Sequence, residues 1–171
     1  VNGNVGGVVG ANYGTISNVY NTGAVSSNGN GIGIGNVGGV VGINGTEGTV
    51  SNTYNTGAVS GRSNVGGVIG VNNNDLATFI NNWYATTNAV GNTINQKNDS
   101  GVGTARTLNE LKYMDLSAYG FDANGNTAWR TYATNGSDTL VATTPMLQAF
   151  KSTALDDVIT HDKVQYGTAE S

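Results

Sequence analysis

Between residue 4 and about residue 90 the apolar residues come singly or in pairs, each set off by Gly or Asn. The first of them are Val5, Val8-Val9, Ile16, Val19-Tyr20 and Val25. No piece is long enough for a three-turn amphipathic helix, so the pattern predicts short strands joined by turns. The whole arrangement recurs. The segment N-V-G-G-V-[VI]-G occupies 4–10, 36–42 and 64–70, with starts 32 and 28 residues apart. A second segment follows each copy: I-S-N-V-Y-N-T-G-A-V at 16–25, V-S-N-T-Y-N-T-G-A-V at 50–59, and the divergent I-N-N-W-Y-A-T-T-N-A-V at 80–90. The interval between the two segments grows from 10 residues (Gly10 to Tyr20) to 12 (Gly42 to Tyr54) to 14 (Gly70 to Tyr84), which marks a loop that tolerates insertion.

Strands this short bury no core alone. Equivalent strands of successive repeats, stacked about 4.8 Å apart, pair every backbone group and enclose a continuous apolar interior. The sequence therefore predicts an all-β fold, a right-handed parallel β-helix (β-solenoid), its hand set by the rule for parallel crossovers. The expected rows are Val5/Val37/Val65, Val8/Val40/Val68, Ile16/Val50/Ile80 and an aromatic row Tyr20/Tyr54/Tyr84. Asn18, Asn52 and Asn82 are expected to form an amide ladder at a corner. The recurrent glycines are expected to supply positive φ at corners.

Composition sharpens this picture. The 171 residues suit one domain, and 27 Gly with 37% apolar residues favour turns and strands over helices. Residues 1–90 carry only Glu47, Arg62 and Asp75, whereas the remaining charges lie beyond, so the two halves differ in kind. A net charge of −4 offers nothing to nucleic acid or an anionic membrane, and no apolar run is long enough for membrane insertion. Absence of cysteine excludes disulfides and thiol chemistry. An opening at V-N-G-N-V-G-G, in mid-pattern, reads as an excised piece whose first repeat presents an open strand edge, which predicts self-association through that edge.

The G-V-V-G of Gly7–Gly10 and Gly39–Gly42 and the G-V-I-G of Gly67–Gly70, each followed by a Y-N-T-G-x-V-like segment, resemble the GLUG motif. GLUG repeats occur in large secreted bacterial adhesins similar to filamentous haemagglutinin, exported by two-partner secretion, and in non-catalytic parts of immunoglobulin A proteases. The resemblance covers residues 4 to about 90. The second half resembles the segment that ends such arrays: a T-x-x-E-L helix start (Thr107 to Leu111), an aromatic strand with Trp129, and Pro145-Met146-Leu147. By spacing alone Thr107 and Glu110 make a capping box, which predicts a helix over 108–115 with Leu108, Leu111 and Met114 on its buried face. The stretch from Trp129 to Val141 reads as a hairpin turning at Asn135-Gly136. The domains are thus a GLUG-repeat solenoid over 1–100, an α+β capping module over 101–150 that covers the last repeat, and a linker or further element over 151–171.

Candidate chemistry is sparse. The single histidine, His161, excludes sites needing two, and beside Asp162 with no G-x-S-x-G elbow it reads as a solvated pair. Glu47 and Asp75 fall in the inserted loops of successive repeats, where two carboxylates could face one another as in polysaccharide-cleaving β-helices. Asp122, Asn124 and Asn126 alternate like a calcium loop, but Gly125 and Ala133 stand at the wrong positions, leaving a tight turn. Two placements are open for the aromatic row: the core, or an exposed stripe that stacks on sugar rings, with Trp83 facing outward beside Tyr84. Thr22, Thr56 and Thr86 recur once per repeat, too few for a flat ice-binding array. No catalytic residue, metal ligand or cofactor site emerges, so the expectation is no enzyme and no cofactor. The candidate ligand-binding surface is Trp83, Glu47 and Asp75, and the structural repeat positions are Gly7, Gly10, Gly39, Gly42, Gly67, Gly70, Tyr20, Tyr54 and Tyr84.

The resemblance implies a secreted protein, or one displayed on the bacterial outer-membrane surface, that mediates or presents attachment to a host-cell glycan or an extracellular-matrix protein. The alternative is an accessory segment of a larger secreted enzyme such as an immunoglobulin A protease.

Overall fold

The computed structural model describes residues 3–28, 35–75, 79–95, 97–112, 116, 129–134 and 140–147. The chain divides into compact units of residues 1–108 and 109–171. In the first unit, repeat 1 supplies β1 (Val5–Gly6), β2 (Val9–Asn12), β3 (Thr15–Asn21) and β4 (Val25–Ser26). Repeat 2 supplies β5 (Val37–Gly38), β6 (Val41–Asn44), β7 (Thr49–Asn55) and β8 (Val59–Ser60). Repeat 3 supplies β9 (Val65–Gly66), β10 (Ile69–Asn72) and β11 (Asn82–Ala85), and β12 (Thr104–Arg106) follows.

Strands from successive repeats lie side by side and parallel. The sheet orders are β1-β5-β9, β10-β6-β2, β12-β11-β7-β3 and β4-β8. The expected all-β, parallel character is therefore present, and the sheets run to Arg106 and not to residue 100. Val5 pairs Val37, which pairs Val65. The Val8 N–H donates to the Val40 carbonyl, and the Val40 N–H to Val68, at 3.0 and 2.9 Å. These rows fill two apolar clusters. One holds Val40, Val41, Val50, Val68, Ile69, Tyr84 and Val102, and the other Val25, Val37, Val59 and Val65.

Register slips by one residue in repeat 3. Asn82 pairs Thr53, Trp83 pairs Tyr54 and Tyr84 pairs Asn55, so the expected Tyr20/Tyr54/Tyr84 row is replaced by Tyr20/Tyr54/Trp83. Ile80 likewise leaves the Ile16/Val50 row and is 49% exposed, while Phe79 packs against the core instead. The slip has a steric logic. Tyr84 enters the space beside Gly67, where an added Cβ would overlap its ring. In repeats 1 and 2 the matching glycines, Gly7 and Gly39, receive Asn21 and Asn55. At the last repeat an aromatic side chain fills the space without adding an amide that needs a partner above it.

The glycines do not serve as expected. Among the described residues, positive φ occurs at Gly91, Gly101 and Gly103 and at none of the motif glycines. Those glycines permit close approach: a Cβ on Gly6, Gly38 or Gly66 would strike the carbonyl oxygen of Val9, Val41 or Ile69 three residues on. Asparagine takes the left-handed positions, with φ of 54°, 51° and 56° at Asn18, Asn52 and Asn81. An L-residue there costs roughly 1–2 kcal/mol, which Asn lowers through its own hydrogen bonds. Asn81, not Asn82, continues that ladder, its Nδ2 donating to Asn52 Oδ1 at 2.8 Å.

Three further asparagine rows run up the stack. Asn12 Nδ2 donates to Asn44 Oδ1 at 2.7 Å, and Asn44 Nδ2 to Asn72 Oδ1 at 3.1 Å. Asn64 donates to Asn36 and Asn36 to Asn4, each at 2.7 Å, and Asn21 donates to Asn55 at 2.9 Å. Several of these side chains also shape their own turns. Asn12 and Asn55 each accept from the N–H two residues on, at 3.1 Å, and donate back to the carbonyl of that same glycine. In repeat 2 the loop is two residues longer, and Asn44 Nδ2 reaches Gly48 instead, at 2.8 Å. The insertions seen in the sequence thus enter after a side chain that holds the turn closed.

At the junction of the units, α1 (Leu108–Lys112) buries Leu111 completely and Leu108 in part. The Leu108 N–H donates to Thr87 Oγ1 at 3.0 Å. In the second unit, β13 (Trp129–Thr134) pairs antiparallel with β14 (Leu140–Leu147), as the hairpin expectation requires, with a register shift between Arg130 and Tyr132. Pro145 falls within the irregular stretch of β14, between the Met146 and Ala142 pairings, the kind of place in a sheet where proline is tolerated. Met114, the Asn135-Gly136 turn, the 121–126 loop, His161, Asp162 and the 151–171 segment lie outside the described residues.

Asn44 is fully buried and sits at the middle of its ladder. Asn44→Ala strips partners from Asn12, Asn72 and the Gly48 carbonyl together, and is expected to cost on the order of 3 kcal/mol in urea unfolding. A loss under about 1 kcal/mol would show that the ladder contributes little.

Candidate functional site

Along β7, Thr53 and Asn55 turn inward, since Thr53 Oγ1 donates to buried Asn82 at 2.8 Å and Asn55 sits against Gly39. Strand alternation then puts Tyr54 on the opposite face, with its register partners Tyr20 and Trp83. The Tyr20 and Tyr54 rings stack at 5.3 Å with planes 7° apart. Tyr54 is nevertheless fully buried, and Trp83 is half-buried. Beyond Trp83 comes Arg106, whose guanidinium carbon lies 5.0 Å from a Trp83 ring centroid. A cation over an indole face contributes about 0.5–1 kcal/mol at a partly exposed site.

The aromatic row thus holds one stacked pair, Tyr20 and Tyr54, followed in register by Trp83 with a guanidinium over its ring. Trp83 is half-buried with its indole nitrogen covered, and Tyr84 belongs to the core. Tyr54 and Tyr84 are both buried, as the core placement expects, while Tyr20 in the first repeat is half-buried and the slip takes Tyr84 out of register with the other two. With Tyr54 inaccessible and Arg106 over Trp83, the row is a poor platform for a sugar ring.

Glu47 and Asp75 are both exposed, each three residues past a ladder asparagine, Asn44 or Asn72. Their loops adjoin: the Asn73 N–H donates to the Asn44 carbonyl at 2.8 Å, and Asn74 Nδ2 to the Gly48 carbonyl at 3.0 Å. Trp83 is not part of that neighbourhood. It pairs Tyr54, five residues along β7 from the Thr49 end that adjoins the Glu47 loop, on the order of 15 Å at strand rise. The candidate surface therefore falls into two parts, a pair of acidic loops and an aromatic flank.

Thr22, Thr56 and Thr86 do not form one row, because Thr86 falls beyond the slip and its Oγ1 donates to the Arg106 carbonyl at 3.1 Å. Among the described residues, no group of three His, Cys, Asp or Glu side chains is placed to hold a metal ion, and no helix is long and apolar enough to cross a membrane.

Sequence reading missed the residues that finish the stack. Asn95 Oδ1 accepts from the Val59 N–H at 2.7 Å, and its Nδ2 donates to the Gly57 and Ala85 carbonyls. Asp99 Oδ2 accepts from the Val65 N–H at 2.8 Å, while the Asp99 N–H donates to the Val65 carbonyl at 2.9 Å. Ser100 Oγ donates to the Ile69 carbonyl at 2.6 Å, and Val102 enters the core. Polar side chains stand in for a further repeat. The signal was present as N-D-S-G-V-G at 98–103, a degenerate copy of N-V-G-G-V-[VI]-G with a carboxylate and a hydroxyl at the strand positions.

No protein-family model, curated protein or solved structure matches this chain.

Removing the cation tests the contact on Trp83. Arg106→Ala is expected to destabilise the chain by about 1 kcal/mol in urea unfolding, with Arg106→Lys retaining part of the loss. An unchanged midpoint in Arg106→Ala would show that the guanidinium adds nothing to the row.

Proposed function

We propose that this chain is a structural segment of a large bacterial adhesin, secreted or displayed at the outer-membrane surface, in which GLUG-like repeats wind into a right-handed parallel β-helix. Its task in this reading is to hold an attachment site at a distance from the cell and present it to a host glycan or matrix protein. The supporting observation is the repeat-on-repeat register. Equivalent strands pair in parallel, and the same asparagines bond from one repeat to the next, so each repeat is a template for its neighbour. Such an array lengthens by addition of repeats without redesign of the core. The scarcity of charge through residue 90 and the stacking of Tyr20 on the buried Tyr54 fit a spacing role better than a binding or catalytic one.

A chain carrying two extra copies of residues 36–63, inserted after Ser63, keeps every native junction. It is expected to unfold cooperatively and to gain about 10 Å in maximum dimension by small-angle X-ray scattering, two strand spacings. Aggregation, or an unchanged dimension, would overturn the stacked-repeat reading. On a glycan and matrix-protein array, the chain is expected to give no signal that Trp83→Ala abolishes. A saturable signal lost in that variant would make the aromatic flank an adhesive site in its own right.

A further inference from the structure

Asparagine is a chemically labile residue, and most so before glycine, where no Cβ hinders attack of the next backbone nitrogen on the side-chain amide. Of the asparagines that bond from repeat to repeat, Asn44 is the one that glycine follows. Packing imposes both halves of this pair. Asn44 accepts from Asn12 at 2.7 Å and donates to the Gly48 carbonyl at 2.8 Å and to Asn72 at 3.1 Å. Tyr13 and Asn73 follow the register partners of Asn44 in repeats 1 and 3, so the repeat itself does not demand glycine at 45. The ring of Tyr13 does, because it lies over Gly45 where an added Cβ would collide with it. The same packing keeps the pair from reacting. The Gly45 N–H donates to the Asn12 carbonyl at 2.8 Å, the Asn44 amide is held at both ends, and both residues are buried away from water.

We propose that Asn44-Gly45 is a latent deamidation site, shielded while the repeats are stacked, and that its reaction after the stack opens is a covalent switch that keeps the chain from restacking. In the opened chain hydroxide takes the Gly45 amide proton, and the nitrogen attacks Asn44 Cγ. The new C–N bond closes a five-membered succinimide, the Cγ–Nδ2 bond breaks, and the nitrogen leaves as ammonia with a proton from water. Water then opens the ring at either carbonyl, leaving aspartate or isoaspartate at position 44. Either product has a carboxylate that only accepts hydrogen bonds. It faces Asn72 Oδ1 and the Gly48 carbonyl, both of which the amide had served as donor, so oxygen meets oxygen in a buried site. Isoaspartate also routes the main chain through the side-chain carbon, which moves the Gly45 N–H away from Asn12. Opening of the stack thereby becomes irreversible. This inference rests on the ladder and not on the adhesive reading, so a failed adhesion assay leaves it standing.

The test holds the full chain in mildly alkaline buffer, folded in one sample and unfolded by guanidinium in the other, and follows residue 44 by tandem mass spectrometry of the tryptic peptide ending at Arg62. Conversion at Asn44 is expected to be slower in the folded chain by on the order of a hundredfold or more, because reaction waits on opening. When the guanidinium is removed, the refolded molecules, separated by size exclusion, are expected to carry unconverted Asn44, and the molecules left unfolded to carry the product. Equal rates in the two samples overturn the proposal, as does a refolded fraction as rich in product as the unfolded one. Two variants complete the test. Asn44→Asp, made directly, is expected to lower the guanidinium midpoint or to fail to fold, and an unchanged midpoint overturns the switch. Gly45→Ala is expected to slow conversion in guanidinium, where collision with Tyr13 does not matter. An unchanged rate there shows that the glycine does not make the site labile and overturns the proposal.

Discussion

Stacking one turn directly on another takes water away from backbone groups in the middle of the array, and those groups still need partners. Asn44 meets this constraint with one side chain. Its amide accepts from the repeat below, donates to the repeat above and closes its own loop on Gly48. An amide has donors and an acceptor at opposed ends, so it bonds to copies of itself indefinitely at the strand spacing. A serine lacks the reach, and a carboxylate repels its own image. Strand pairing between successive repeats supplies the rest of the cohesion.

Glycine and asparagine divide the backbone work between them. Glycine stands where the chain comes too close to itself for a Cβ, as at Gly38 and Gly66. Asparagine stands where φ is positive and a side-chain hydrogen bond offsets the strain, as at Asn52. Neither residue can do the other's work. A glycine at Asn52 would break the ladder, and an asparagine at Gly38 would collide with the Val41 carbonyl. Through residue 90 the three charged residues, Glu47, Arg62 and Asp75, all lie in loops between strands.

Polarity follows from how the array ends. A stack of identical repeats has no internal reason to stop, and an unfinished edge recruits whatever matches it. Here residues 95–102 finish one end with an amide, a carboxylate, a hydroxyl and one apolar plug, Val102. The opposite edge has no equivalent among the described residues.

Much of the architecture was legible along the chain because the repeats compare themselves. Three copies of N-V-G-G-V-[VI]-G establish strand identity, parallel pairing and the Val5/Val37/Val65 and Val8/Val40/Val68 rows without coordinates, since like residues in a stack must coincide. What escaped was whatever depends on three-dimensional fit. The one-residue slip that sends Tyr84 inward and Ile80 out is decided by the space beside Gly67. The work of the glycines depends on distances between backbone atoms that spacing does not report. The cap was hidden because Asn95, Asp99 and Ser100 replace a strand's backbone with side chains and so erase the pattern that would have announced one. Periodicity along the chain thus determined which strands stack, and close contact in the folded protein decided which side chains fill the core, which glycines are indispensable and where the stack ends.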